Sequence, residues 1–234
     1  MINIVYTPKI FVVVFFLCLS SCERQFSYLP GGKNKHIHYE ITFIDKEKKI
    51  NNYKQSYFLK ESKKNKSILV RSDGKVIEYQ KEPGRLILKD VQYLFPGLVD
   101  RPKEKLEFER ENIVYEMSLE KNKSWMTNDL TTLIMKLGYD RIYRTLLPIN
   151  IENKLVSMNE TVKIKDKILE NCIKIKGFGE TSYNPGPPMD NINITVKKTE
   201  WYAPDLGLVK LIREEISDSE TMGNVYYEKV INFN

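Results

Sequence analysis

Side-chain chemistry needs a nucleophile, a base or a metal ligand held by suitable neighbours, and three places in this chain offer the residue types. His36, His38 and Glu40 occupy alternate positions, so on a strand their side chains leave one face and could converge on zinc or copper. Ile37, Tyr39, Ile41 and Phe43 alternate with them, which makes the trio the wet side of a half-buried strand. That second reading is preferred, because the chain has 2 histidines in all and no cysteine stands near them. Cys172 lies in a segment of strand character without a histidine or a recognisable cation beside it to lower its pKa. The expectation is a small buried apolar group. Gly31-Gly32-Lys33 is a fragment of a phosphate loop, but residue 27 is Ser where a glycine is required and Asn34 stands where Ser or Thr would bind magnesium. No Gly-x-Ser-x-Gly elbow occurs, and although 31 acidic residues always allow some carboxylate pair, nothing singles one out. Neither enzyme activity nor a cofactor or metal is expected.

The strongest chemical signal is at the start of the chain. Lys9 precedes an apolar run over residues 10–19, and Leu19-Ser20-Ser21-Cys22 closes it with small residues before a cysteine. Charge, apolar core and cleavage site in that order mark a secretory signal. The run is about half the length a membrane span needs, so it reads as a segment that is removed. The four residues resemble a bacterial lipobox. That resemblance implies diacylglycerol on the Cys22 sulfur, cleavage after Ser21 and acylation, commonly with palmitate, of the new amino terminus. Two or three acyl chains hold a protein on a bilayer far better than one, since each buried methylene contributes about 0.8 kcal/mol. Glu23 would then be the second residue of the mature protein. An aspartate there commonly retains lipoproteins at the inner membrane, so by the same resemblance the expected place is the inner leaflet of the outer membrane, facing the periplasm.

These groups must be carried by a scaffold of matching size. Of 234 residues, removal of residues 1–21 leaves enough for one large all-β domain, and 41% hydrophobic residues can fill a core. The formal charge is +6, of which the mature chain keeps about +5, an excess that suits an anionic membrane surface. Basic residues alternate with acidic ones along the whole chain, which describes a solvated surface better than a nucleic-acid site, and no nucleic-acid partner is expected. Residues 22–34 contain Pro30-Gly31-Gly32 and little periodic apolar content, and read as a lipidated tether; residues 35–234 read as one domain.

Within that domain short strands alternate with turn signals. Asp73-Gly74, Pro83-Gly84 and Asp166-Lys167 mark hairpins, and Asn184-Pro185-Gly186-Pro187-Pro188 must be a surface loop. Over residues 128–147 the period changes to three or four, with Asn128 as a cap, an apolar stripe through Leu130, Leu133, Ile134, Leu137, Ile142 and Leu146, and Pro148 as a stop. The expected fold is mainly β: a single curved antiparallel sheet of roughly ten to thirteen strands, a half-barrel or open barrel, with one principal helix packed on it.

Near the end of the chain, Glu200-Trp201-Tyr202-Ala203-Pro204-Asp205-Leu206-Gly207-Leu208-Val209-Lys210 resembles a signature of poorly characterised bacterial envelope lipoproteins whose strands end in aromatic-Ala-Pro-x-x-Gly-Leu-Val-Lys. Glu170-Asn171-Cys172-Ile173-Lys174-Ile175 resembles the strand before it in that group. The likeness covers the last third of the chain well, and the construction is similar to LolA and LolB half-barrels. It implies a concave apolar face and no activity. Trp201, Tyr202, Pro204 and Gly207 are therefore the candidate structural or binding motif, with hairpin closure preferred over a partner edge. The resulting expectation is a membrane-anchored lipoprotein with a non-enzymatic structural or assembly role, binding another envelope protein. The alternative is a carrier for lipid or another apolar ligand.

Overall fold

Period-two patterning dominates the computed structural model, which describes residues 27–30, 36–63, 65–93, 112–117, 123–137, 141–186, 190–220 and 222–233. Among them the strands are β1 (His36–Ile44), β2 (Ile50–Lys63), β3 (Lys66–Arg71), β4 (Lys75–Glu82), β5 (Arg85–Tyr93) and β6 (Asn112–Glu116). They continue with β7 (Ser124–Leu137), β8 (Arg141–Ile164), β9 (Lys167–Tyr183), β10 (Ile192–Ala203), β11 (Gly207–Ser217) and β12 (Asn224–Asn232). All form one 12-stranded sheet in the order β6-β5-β4-β3-β2-β1-β12-β11-β10-β9-β8-β7, and every adjacent pair is antiparallel.

A sheet this wide must curl to bury one face. It curls until its edges meet: the Trp125 Nε1–H on β7 donates to the Ile113 carbonyl on β6 at 3.0 Å, and Asn112 Nδ2 donates to the Asn128 carbonyl at 3.4 Å. The sheet is thus a nearly closed barrel whose seam is held by side chains, which blunts two edges that would otherwise offer unpaired backbone. The hairpins stand where the turn signals put them at Asp73-Gly74 and Pro83-Gly84. The β8–β9 turn falls one residue earlier than expected, at Lys165-Asp166, with Ile164 opposite Lys167. The hairpin expected from residues 105–110 and the loop at 94–102 lie outside the described residues.

No helix occurs among the described residues, and residues 128–137 and 141–147 of the expected helix belong instead to β7 and β8, paired from Ser124–Lys154 to Leu137–Arg141. The three-to-four stripe misleads because polar residues occupy inward positions of β7. Thr127 and Thr131 are buried beside Trp125, satisfied by partners inside the barrel, while Met126 faces out. The β-branched content of the segment supports the extended backbone. Pro148, expected as a stop, sits exposed within β8 opposite Leu130.

The tether is also shorter than residues 22–34. Tyr28 and Leu29 are buried, in one cluster with Leu86 of β5, Tyr115 of β6, Trp125 of β7, Ile173 and Ile175 of β9 and Tyr202 of β10. Burial of side chains this size contributes about 1.5 to 3 kcal/mol each, enough to hold a short segment in place. A second cluster gathers Ile37, Tyr39 and Ile41 of β1, Leu59 of β2 and Ile231 of β12 with Val162, Ile164 and Cys172 from the distal β8–β9 hairpin. A third, around Ile149, Ile151, Ile194 and Val196, fills the opposite end.

Candidate functional site

Alternation in β12 sends Tyr227, Lys229 and Ile231 inward, and the register sets Lys229 beside Ile41 of β1 and Leu211 of β11. Lys229 is 8% exposed, a burial almost never seen for lysine without partners. Nζ donates to Gln55 Oε1 at 3.1 Å and to the Tyr57 hydroxyl at 2.9 Å, and lies 4.2 Å from the Tyr39 ring centroid and 4.5 Å from that of Tyr57. Tyr57 in turn donates to Gln55 Oε1 at 2.8 Å, and the Tyr39 hydroxyl donates to the Leu208 carbonyl at 2.8 Å. Burial pulls the Lys229 pKa down to about 7, helped by Arg71 and Lys75 and opposed by Glu200. Burial also pushes Tyr39, Tyr79 and Tyr227 upward. The interior therefore holds a cation in an aromatic and amide cage that gives up its proton near neutrality.

A second group ties the walls together. Arg213 of β11 donates to Asp129 Oδ2 of β7 at 2.6 Å, to the Leu130 carbonyl at 2.8 Å and to Glu215 Oε1 at 2.8 Å. Thr131 of β7 donates to the other oxygen of Glu215. Three strands separate β11 from β7 in the sheet, so these bonds cross the interior. Lys198 and Glu200 of β10 form a further pair at 3.4 Å. Asn153 is 1% exposed; its Nδ2 donates to Thr127 Oγ1 at 2.9 Å and the Ile151 carbonyl at 3.0 Å. Gly177 lets β9 pass over it, since a Cβ there would stand 2.8 Å from Asn153 Oδ1 and 2.7 Å from Ile151. At this level the barrel is polar and bonded across. Such groups add little net stability but lose several kcal/mol if one partner is removed, so they fix the spacing of the walls.

The residues singled out from the sequence lie elsewhere. Cys22 is outside the described residues. A β-bulge separates Trp201 from Tyr202 and sends them to different surroundings. Trp201 is half-buried, its Nε1–H donating to Glu160 Oε2 at 3.3 Å, with Lys174 and Lys210 at 5.3 and 5.8 Å from its ring. Tyr202 points into the core, edge-on to Tyr115 at 5.6 Å. Pro204 begins the β10–β11 turn, and Gly207 ends it at φ 79 with Pro30 pressed against it, where a Cβ would come within 2.8 Å of Pro30 Cδ. The Asp205 N–H donates to the Ser27 carbonyl at 2.7 Å, and the Tyr28 hydroxyl to the Asn171 carbonyl at 3.2 Å. The turn thus receives the amino-terminal segment. His38 bonds Ser56 at 2.8 Å, and Glu40 pairs with Lys165 at 2.9 Å and accepts from Asn232. Cys172 is buried with its pKa pushed up to about 11 by burial, the opposite of an activated thiol.

Lys229, Arg213, Lys198 and Glu200 were not legible as a site. The signal was present in β12, where Val225, Tyr227, Ile231 and Phe233 alternate and a lysine interrupts the apolar face.

No protein-family model and no curated protein matches the chain. Two solved structures are similar in fold. A candidate lipoprotein from Parabacteroides distasonis shares 15% identity over 88% of this chain and 97% of its own, with a TM-score of 0.44. A candidate exported protein with a YmcC-like fold from Bacteroides fragilis shares 13% identity over 88% of this chain and 99% of its own, with a TM-score of 0.41.

Proposed function

We propose that the protein is a bacterial envelope lipoprotein, anchored by lipid on Cys22 at the inner leaflet of the outer membrane, whose barrel is a non-enzymatic module that binds or positions another envelope protein. The observation that carries the non-carrier reading is the Arg213 tie: a barrel bonded across its interior to Asp129 and Leu130 is built to keep its shape. An apolar cargo there would have to displace charged, hydrogen-bonded groups and leave them unpaired, at a cost of several kcal/mol. Partners then meet the outer wall or the barrel ends.

Native mass spectrometry of the full chain, extracted in detergent, tests this. The expected mass is that of the polypeptide with its covalent acyl chains, and crosslinking in cells captures an envelope protein. A further lipid retained after delipidating washes would favour the carrier instead. Metabolic labelling with palmitate is expected to mark the wild type and not Cys22→Ser, which no longer partitions into detergent. Recovery with the inner membrane alone would overturn the assigned location.

A further inference from the structure

We infer that the barrel end bearing the β10–β11 turn is its membrane-facing end and seats on anionic phospholipid; this rests on the lipid anchor proposed at Cys22. Two independent features converge on that end. The first is the length of chain between anchor and fold. Ser27 is bonded to Asp205, Pro30 is packed on Gly207, and Tyr28 and Leu29 are buried. Five residue steps separate Cys22 from Ser27, and even fully extended they span at most about 18 Å. The tether therefore delivers this end to the bilayer. The other end lies roughly 30 Å further along strands as long as β10.

The second feature is charge. Strands that end or begin beside this turn bring Lys60, Lys63, Lys66, Lys163, Lys165 and Lys167 to the same end. Lys81 and Arg85 of the β4–β5 turn stand there too, and the acidic residues are Glu61, Glu82, Asp166, Glu170 and Asp205, leaving this end net positive among the described residues. Among the described residues the far end is close to balanced, with Asp45, Glu47, Asp73, Asp190, Asp218 and Glu220 against Lys46, Lys48, Lys49, Arg71 and Lys75. A surface of anionic headgroups attracts the first end within a Debye length far more than the second, so a barrel tethered this closely stands on its basic end. The other end and its loops are displayed away from the membrane.

Full-length, lipid-anchored protein carrying one fluorophore is reconstituted into vesicles of phosphatidylglycerol and phosphatidylethanolamine containing a headgroup-spin-labelled quencher. Lys63→Cys and Lys163→Cys report the near end, Glu47→Cys and Glu220→Cys the far end; Cys172 is buried and leaves the label specific. Near-end probes are expected to be quenched several-fold more than far-end probes, and to lose part of that quenching in phosphatidylcholine vesicles or at raised salt, where the tether alone holds them near the bilayer. Equal quenching at both ends, stronger quenching at the far end, or near-end quenching indifferent to lipid charge would overturn the inference. Intact mass of the same preparation separates the two levels. A chain without acyl groups removes the anchor and the orientation together, whereas an acylated chain with an unquenched near end removes the orientation alone.

Discussion

Lys229→Met should make the protein more stable, and by an amount that depends on pH. Methionine fills a similar volume, and Gln55 and Tyr57 keep their bond to each other when the ammonium is gone. In the unfolded chain Lys229 holds its proton up to about pH 10.5, whereas in the barrel it gives it up near 7. Between those values the unfolded state binds more protons, so this group makes stability rise with pH, by at most about 1.4 kcal/mol per unit. Below pH 7 both states are protonated and the full cost is present, on the order of 5 kcal/mol; above 10.5 both are neutral and it vanishes. Relief of such a buried charge by an apolar residue is worth about 1 to 4 kcal/mol. Urea denaturation followed by intrinsic fluorescence at pH 6, 7.5 and 9 is expected to show Lys229→Met ahead by that amount at pH 6, with the gap narrowing steadily as pH rises. The coupling of the ammonium to Arg71, Lys75 and Glu200 is lost with Lys229 and is already contained in its lowered pKa. A gap that does not change with pH, or a variant less stable than wild type at pH 6, would refute the reasoning.

Arg213→Met leaves Asp129 and Glu215 without their cation and should cost about 3 to 5 kcal/mol, read as a lower urea midpoint, with the loss partly recovered when Asp129→Asn is added. Tyr202→Ala empties a buried site between β5, β6 and β10 and should cost about 3 to 5 kcal/mol, whereas Trp201→Ala, half-exposed, should cost clearly less; the reverse order in thermal melts would contradict the placement of the bulge. Gly207→Ala forces a side chain into positive φ and into Pro30, so proteolysis near Ser27 should accelerate before the barrel itself melts.

Alternation of apolar and polar residues announced the β class, one antiparallel sheet and most hairpins, because a strand with one buried face writes its period directly into the chain. Asp73-Gly74 and Pro83-Gly84 needed nothing beyond local backbone preferences. Residues 128–147 failed for a physical reason: Thr127 and Thr131 are buried because Asn153 and Glu215 await them on other strands, and a window of neighbours cannot contain such partners. Tyr28 and Leu29 read as tether in the sequence because two apolar residues carry no period, yet they complete a cluster drawn from five strands.

What this sequence determined by itself was local: the strand period and the turn at residues 204–207, beside a lipobox-like pattern that makes Cys22 the candidate lipid-bearing residue. Closure of the sheet at the Ile113–Trp125 seam, the meeting of Arg213 with Asp129, and the burial of Lys229 between Tyr39 and Tyr57 were decided only by tertiary structure. Each joins residues 12 to 190 positions apart, brought together by the curvature of the whole sheet, and a charge becomes buried and perturbed only once the remaining walls exclude water from it.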